Sequence, residues 1–193
     1  MAVAALDPRT ALIVCDLQRG IVVLPTIRPI VEVVARSVAL VDAFRRHGLP
    51  IVLANITGLP PGRTEEVLSL ARLPAGWSDL IPELAPRPED VVVTRSAFSA
   101  FAHTDLAQRL ASQGVTQVVL VGFATSVAVE STARAAYDLG FNVTLAVDAM
   151  TDLNEHAQLN SINRIFPRIG QTGTTKEILA LLDRDRPVAS PAQ

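Results

Sequence analysis

The sequence predicts an α/β protein built on a parallel, doubly wound sheet, and three observations carry that prediction. Strand-length apolar runs alternate with segments of helical rhythm along the 193 residues, the pattern of successive βαβ units. The strand runs are apolar throughout instead of at every second position, as strands covered on both faces are. Polar and charged residues collect just after the runs, at Asp16, Asn55, Arg95, Phe123 to Thr125 and Asp148, where such sheets bind their ligands.

Thr10 to Cys15 reads as the first strand, closed by Asp16. Ile30 to His47 has apolar residues at helical spacing, and Gly48 suits the position that ends a helix. Pro50 to Asn55 is the second strand. Thr57 to Pro88 is irregular and rich in Pro and Gly, with one short helix expected near Glu65 to Arg72. Asp90 to Arg95 is the third strand. Thr104 is expected to cap a helix to Gln113, which Gly114 stops. Gln117 to Gly122 is the fourth strand, and a helix from Ser126 to Asp138 follows it to a stop at Gly140. Asn142 to Asp148 is the fifth strand, Glu155 to Ile165 a helix, and Arg168 to Thr172 a short sixth strand. A last helix, Thr175 to Leu182, precedes a tail over about 184–193 that is expected to fray. One domain spans residues 1–193, without internal repeats.

Composition narrows the function classes. Apolar residues make up 49% and charged residues 19%, with a net charge of −2. That balance fits a packed domain and argues against nucleic acid or an anionic membrane as partner. No apolar run reaches the length of a membrane span, about 20 residues. Met1 to Arg9 lacks the layout of an export signal. Cys15 is the single cysteine, so no internal disulfide forms, which fits the cytoplasm. The turn Asp16-Leu-Gln-Arg-Gly20 lacks the glycine spacing of a dinucleotide site, and no phosphate-loop motif occurs. No cofactor is expected.

The segment Gly122-Phe-Ala-Thr-Ser-Val-Ala128 at the end of the fourth strand has the grammar of a catalytic strand-to-helix elbow. Thr125 and Ser126 are residues that start helices. The first N–H groups of the helix point over the strand ends and can hold an oxyanion or a carboxylate. An alanine, Ala128, stands where a nucleophile would be expected.

These residues resemble the isochorismatase-like hydrolases, also called the cysteine hydrolase superfamily. The resemblance runs over nearly the whole chain. It is carried by Val14-Cys-Asp-Leu-Gln18, Ser99-Ala-Phe101 with Thr104-Asp-Leu106, the elbow from Gly122 to Arg134, Ala135 to Gly140, and Val147-Asp-Ala149. It implies a three-layer α/β/α sandwich around a mainly parallel six-stranded sheet, assembled as a homodimer or homotetramer. It implies a hydrolase of small molecules, with an Asp, a Lys and a Cys in the family site. The Asp matches Asp16; the Lys falls on Arg95 and the Cys on Ala128. A subgroup of the family has small residues in place of the Cys; its phenazine-pathway isochorismatase cleaves a vinyl ether with its Asp as acid. The resemblance further implies an oxyanion hole from the N–H groups of Ala124 and Ala128, and a cis peptide between Phe123 and Ala124.

Each residue has two readings. Asp16 is a general acid or base, or a carboxylate paired with Arg95. Arg95 cannot give up a proton and so serves binding and electrostatics, or a structural ion pair. As a cation it lowers the pKa of Asp16 while burial raises it. Gln18 and Asn55 donate into the pocket or satisfy local backbone. Phe98 lines an apolar wall; Phe101 suits the core better. Trp77 is a candidate cover for the site, in its own or a neighbouring subunit. Cys15 adjoins Asp16 in a strand and is expected to face away from it. His156, Asn160 and Arg164 fall on one helix face, through packing, subunit contact or chemistry. The stretch Asn55-Ile-Thr-Gly-Leu-Pro60 lacks the Asp-x-His that holds metal in family nicotinamidases, so no metal is expected.

The expected function is hydrolysis of a small carboxylate or carbonyl compound without a Cys nucleophile, Asp16 acting as general acid or base. The alternative is a catalytically silent protein that binds a small carboxylate ligand.

Overall fold

The structure, a computed structural model, describes residues 3–65 and 73–185. The expected helix near Glu65 to Arg72 falls, beyond Glu65, on residues outside that range, as does all of the tail after Asp185. No helix among the described residues is long and apolar enough to cross a membrane.

Six strands form one all-parallel sheet in the order β3-β2-β1-β4-β5-β6. They are β1 (Thr10–Cys15), β2 (Ile51–Ile56), β3 (Val91–Arg95), β4 (Gln117–Phe123), β5 (Asn142–Thr151) and β6 (Gln171–Gly173). Every residue of β1, β2 and β4 is buried, as continuous apolar runs require, whereas the edge strand β3 alternates buried and exposed. The strand order reverses between β1 and β4, so the crevice for a ligand opens between the ends of those two strands.

Helices cover both faces. On one side α1 (Ile30–Arg46) and α6 (Thr175–Asp185) enclose Leu12, Val14, Leu53, Val119 and Val121 with Phe44, Ile178 and Leu182. On the other, α2 (Leu106–Ser112), α3 (Glu130–Asp138) and α5 (Phe166–Ile169) enclose Ile13, Cys15, Ala54, Val118 and Leu120. Each fully buried Leu, Val or Phe contributes about 1.5–3 kcal/mol relative to exposure. Gly48 ends α1 at a φ of 62°, as its position in the sequence predicts. Phe101 stacks on Phe141 with ring centroids 5.9 Å apart, a core role.

Several boundaries differ from the sequence expectations. β5 does not stop at Asp148 but runs to Thr151, because its register against β4 slips between Leu120 and Gly122. Val147 and Asp148 fall within that slip, and polar residues there end no strand. The expected helix Glu155 to Ile165 is α4 (Glu155–Asn160), a wide π turn (Ser161–Ile165) and α5. β6 sits later than expected, at Gln171–Gly173, because Arg168 still belongs to α5. The last helix continues past Leu182 to Asp185. Thr104 stands two residues before α2: its hydroxyl donates to the Ala100 carbonyl, 2.8 Å away, and accepts the N–H of Leu106, the first residue of α2, in a long contact of 3.4 Å.

Candidate active site

β1, β3 and β4 deliver the site. Cys15 on β1 and Gly122 on β4 are register partners, so Asp16 stands beside the start of the elbow at the switch point. The two strands approach so closely there that a Cβ on Gly122 would collide with the Cys15 carbonyl, and Gly122 has a φ of 116°. Only glycine meets both conditions without strain. Asp16 itself has a φ of 53°, in the left-handed region, which aims its side chain out of the strand's normal alternation. Its N–H still pairs with the Ala54 carbonyl at 2.9 Å.

Arg95 ends β3, two strands away, a separation of about 9–10 Å at the usual strand spacing. Its side chain spans that distance. Nη1 donates to Asp16 Oδ1 at 2.6 Å and Nη2 to Asp16 Oδ2 at 2.9 Å, a bidentate pair with both side chains almost fully buried. The remaining contacts of the guanidinium go to the Phe98 carbonyl, from Nε at 3.3 Å and Nη2 at 3.0 Å. Burial pushes the Asp16 carboxyl above its ordinary value, and the hydrogen bond and charge of Arg95 pull it back only in part. Burial by itself would lower the pKa of Arg95, but the Asp16 carboxylate more than offsets this and holds the guanidinium charged.

Cys15 lies on the elbow side of the sheet, in one apolar cluster with Ala128, Val129 and Ala133. Its Sγ is 4.0 Å from Thr132 Oγ1. Burial pushes its pKa to about 12, so it is a thiol at neutral pH and no nucleophile.

The elbow follows β4 through a cis peptide between Phe123 and Ala124. A wide π turn, Thr125–Val129, leads straight into α3. Thr125 and Ser126 start the helix but do not cap it. Thr125 Oγ1 turns to Gln158 Oε1 at 3.1 Å, and the cap comes from Asp152, whose Oδ2 accepts the Ser126 N–H at 2.7 Å. Ala124 and Ala128 are buried at the start of this helix.

The amides of Gln18 and Asn55 are used on backbone and do not point free into a pocket. Gln18 Nε2 donates to the carbonyls of Ile56 and Trp77, and its Oε1 accepts the Ile56 N–H. Asn55 Nδ2 donates to the Ser78 carbonyl and its Oδ1 accepts from Thr94. Both therefore fasten the segment 77–81 over the end of β1, where Gln18 and Leu80 also form an antiparallel bridge. Trp77 packs with Ile21, Phe123, Ala124 and Val127 of its own chain, above the elbow. A Cβ on Gly20 would collide with its indole. Phe98 contributes its carbonyl; the residue is 37% exposed and lines no closed wall. His156, Asn160 and Arg164 are exposed, and the π turn from Ser161 breaks their common spacing. Asp148, expected at a site-facing strand end, instead accepts the N–H and hydroxyl of Thr175 at the start of α6.

The site is closed: Asp16, Gln18, Arg95 and Ala128 are each under a tenth exposed. Among the described residues, one surface cavity of about 430 Å³ lies at the opposite sheet end, beside Asp7, Gln117 and Tyr137. Among the described residues no three His, Cys, Asp or Glu side chains gather as a metal site needs.

Residues 10–177 match the isochorismatase domain. The chain belongs to the isochorismatase family. It is 36% identical over 178 residues to YwoC, an uncharacterised isochorismatase family protein of Bacillus subtilis, covering 89% of this chain and 93% of that one. It is 32% identical over 189 residues to the phenazine biosynthesis protein PhzD1 of Pseudomonas aeruginosa, covering 91% and 87%. The solved structure of an isochorismatase family protein from Burkholderia thailandensis superposes with a TM-score of 0.89 at 38% identity, over 93% of this chain and 98% of that one. The isochorismatase-like fold, with helices on both faces of the parallel sheet, is thus shared with proteins of the family.

Three features of this isochorismatase-family site were not read from the sequence. They are the Asp152 cap and Thr132, which act across the chain, and the Phe98 carbonyl, which acts three residues back on Arg95. Thr132 Oγ1 accepts the Ala100 N–H at 3.0 Å and so ties the loop after Arg95 to α3. Of these, only Asp152 left a local signal: a carboxylate directly before Leu-Asn-Glu, a helix start.

Proposed function

We propose that this isochorismatase-family protein hydrolyses a small carboxylate or carbonyl-containing molecule without a Cys nucleophile. Asp16 is its general acid or base, and Ala128 stands at the position of the family Cys. The observation that carries the reading is the buried Asp16–Arg95 pair, set beside the elbow by the Cys15–Gly122 register. A carboxyl whose pKa is raised by burial keeps a proton to higher pH than a free one, which suits an acid. The N–H groups of Ala124 and Ala128 donate to the polarised oxygen of the substrate. Arg95 turns most of its donors to Asp16 and Phe98, so its main role is to hold the acid in place. Vinyl ethers of the isochorismate type fit this chemistry better than amides, whose cleavage by the family rests on the thiol. The similarity to PhzD1 supports that choice. The test is turnover of isochorismate and of a small amide panel by wild type and Asp16→Asn. Loss of turnover in the variant is expected; equal turnover by both proteins removes Asp16 from the mechanism.

A second reading is a silent protein that binds a small carboxylate. It is favoured by the burial of Asp16 and Arg95 and by the contacts that Arg95 makes with Asp16 and Phe98. It expects thermal stabilisation by a ligand with no product after overnight incubation. The proposal includes a homodimer or homotetramer in the cytoplasm. The apolar groove along α1, lined by Val22, Ile30, Val34 and Ile81 with Val31 69% exposed, supports the assembly. Light scattering on the eluting protein measures it, and a monomer discards it.

A further inference from the structure

Asp152 stands just past β5 and is 4% exposed, yet the proposed chemistry does not use it. Its Oδ2 accepts the Ser126 N–H at 2.7 Å. Its Oδ1 accepts the N–H groups of Leu153 at 2.7 Å and Asn154 at 3.3 Å. Its own carbonyl accepts the Ile27 N–H at 2.9 Å. The carboxylate is therefore held by three neutral amides, and no Arg, Lys or His among the described residues pairs with it. Two further contacts brace the same turn: Thr125 Oγ1 donates to Gln158, and Ser161 Oγ donates to Glu130 Oε2 at 2.6 Å.

The consequence is electrostatic. Ser126 lies two residues from both Ala124 and Ala128, whose amides are assigned above to the reacting oxygen. An unneutralised carboxylate on the amide between them repels a second anion, and buried surroundings screen that repulsion poorly. A carbonyl or ether oxygen carries only partial charge and meets little of it.

We propose that Asp152 is a positioning and charge-selecting residue of the elbow. It fixes the turn through Ser126 and reserves the neighbouring amides for an uncharged oxygen, that of an amide, ester or ether. A carboxylate on the substrate lies away from the elbow. This inference rests on the elbow reading given under the proposed function.

The experiment uses benzamide and benzoate, alike in shape and different in charge. Their affinities are measured by calorimetry for the full-length wild type and for Asp152→Asn, which keeps an oxygen for the Ser126 N–H. Wild type is expected to favour benzamide by about tenfold or more, and Asp152→Asn to lose most of that preference. In wild type alone the preference is expected to persist as salt is raised, because the repelling carboxylate is buried, a readout that stands even where the variant fails to fold. A folded Asp152→Asn with an unchanged benzamide-to-benzoate ratio overturns the proposal, as does a wild-type preference that vanishes in high salt. Equal weakening of both ligands assigns Asp152 a structural role only and also overturns it. Failure of wild type to bind either ligand removes the elbow as a binding site, and the reading beneath the proposal falls with it.

Discussion

Arg95 reaches from the end of β3 past β2 and closes on both carboxylate oxygens of Asp16, at 2.6 and 2.9 Å. The pair is buried, so each member leaves the other uncompensated when it is removed. Arg95→Met is expected to destabilise the protein by about 3–5 kcal/mol. Asp16→Asn combined with Arg95→Met is expected to recover a large part of that loss. Urea unfolding of the two singles and the double measures the coupling; simple addition of the single losses contradicts it.

Asp16 also predicts a pH dependence. Its folded pKa is raised above the ordinary 3.8, chiefly by burial. An acid must hold its proton, so kcat/KM is expected to fall as pH rises through the folded value. The stability linked to this group has the same sign: it is whole below about 3.8 and is lost as pH climbs through the raised value. Thermal melts of wild type and Asp16→Asn across that window measure the difference, and parallel curves for the two contradict it.

Cys15 is expected to be inert in the folded protein. Its pKa is pushed to about 12 by burial, so iodoacetamide at pH 8 leaves it unmodified and labels it once in urea. Its contribution to stability is whole below 9.0 and is lost as pH rises from there through about 12. Mass spectrometry before and after unfolding reads the labelling. Rapid modification of native protein would show a reactive thiol beneath the elbow.

Gly122→Ala is expected to cost roughly 2–4 kcal/mol, since the new Cβ meets the Cys15 carbonyl at a φ that already disfavours it. Gly62 has open space around it and serves as the control, with Gly62→Ala within about 1 kcal/mol of wild type. Chemical unfolding of both variants decides the contrast.

Trp77 is the single tryptophan and packs against the cluster of Ile21, Phe123 and Ala124. A ligand seated at the elbow is therefore expected to change the intrinsic emission of the protein. A ligand that raises the melting temperature without moving the emission binds elsewhere.

The sequence made β1 legible to the residue, because an unbroken apolar run closed by Asp16 has few other readings. The pairing of Asp16 with Arg95 was legible as one of two alternatives, and the structure shows both partners of the pair in contact. The start of β5 at Asn142 was legible but its end was not, because Asp148 inside a strand looks like its end; the register slip against β4 explains the extension. The π turns were hidden for a different reason: one extra residue per turn barely disturbs an apolar rhythm. Gln18, Asn55 and Asp152 find partners far along the chain, and composition around each residue carries no trace of a partner 23 to 38 residues away.

The slip in β5 also makes that strand an anchor for both helical layers at once. Asp148, inside the displaced stretch, fastens the first turn of α6 on one face; Asp152, beyond it, fastens the elbow on the other. A deletion anywhere between Ala146 and Ala149 would pull at least one of these carboxylates off its helix, so this stretch should tolerate changes of side chain far better than changes of length.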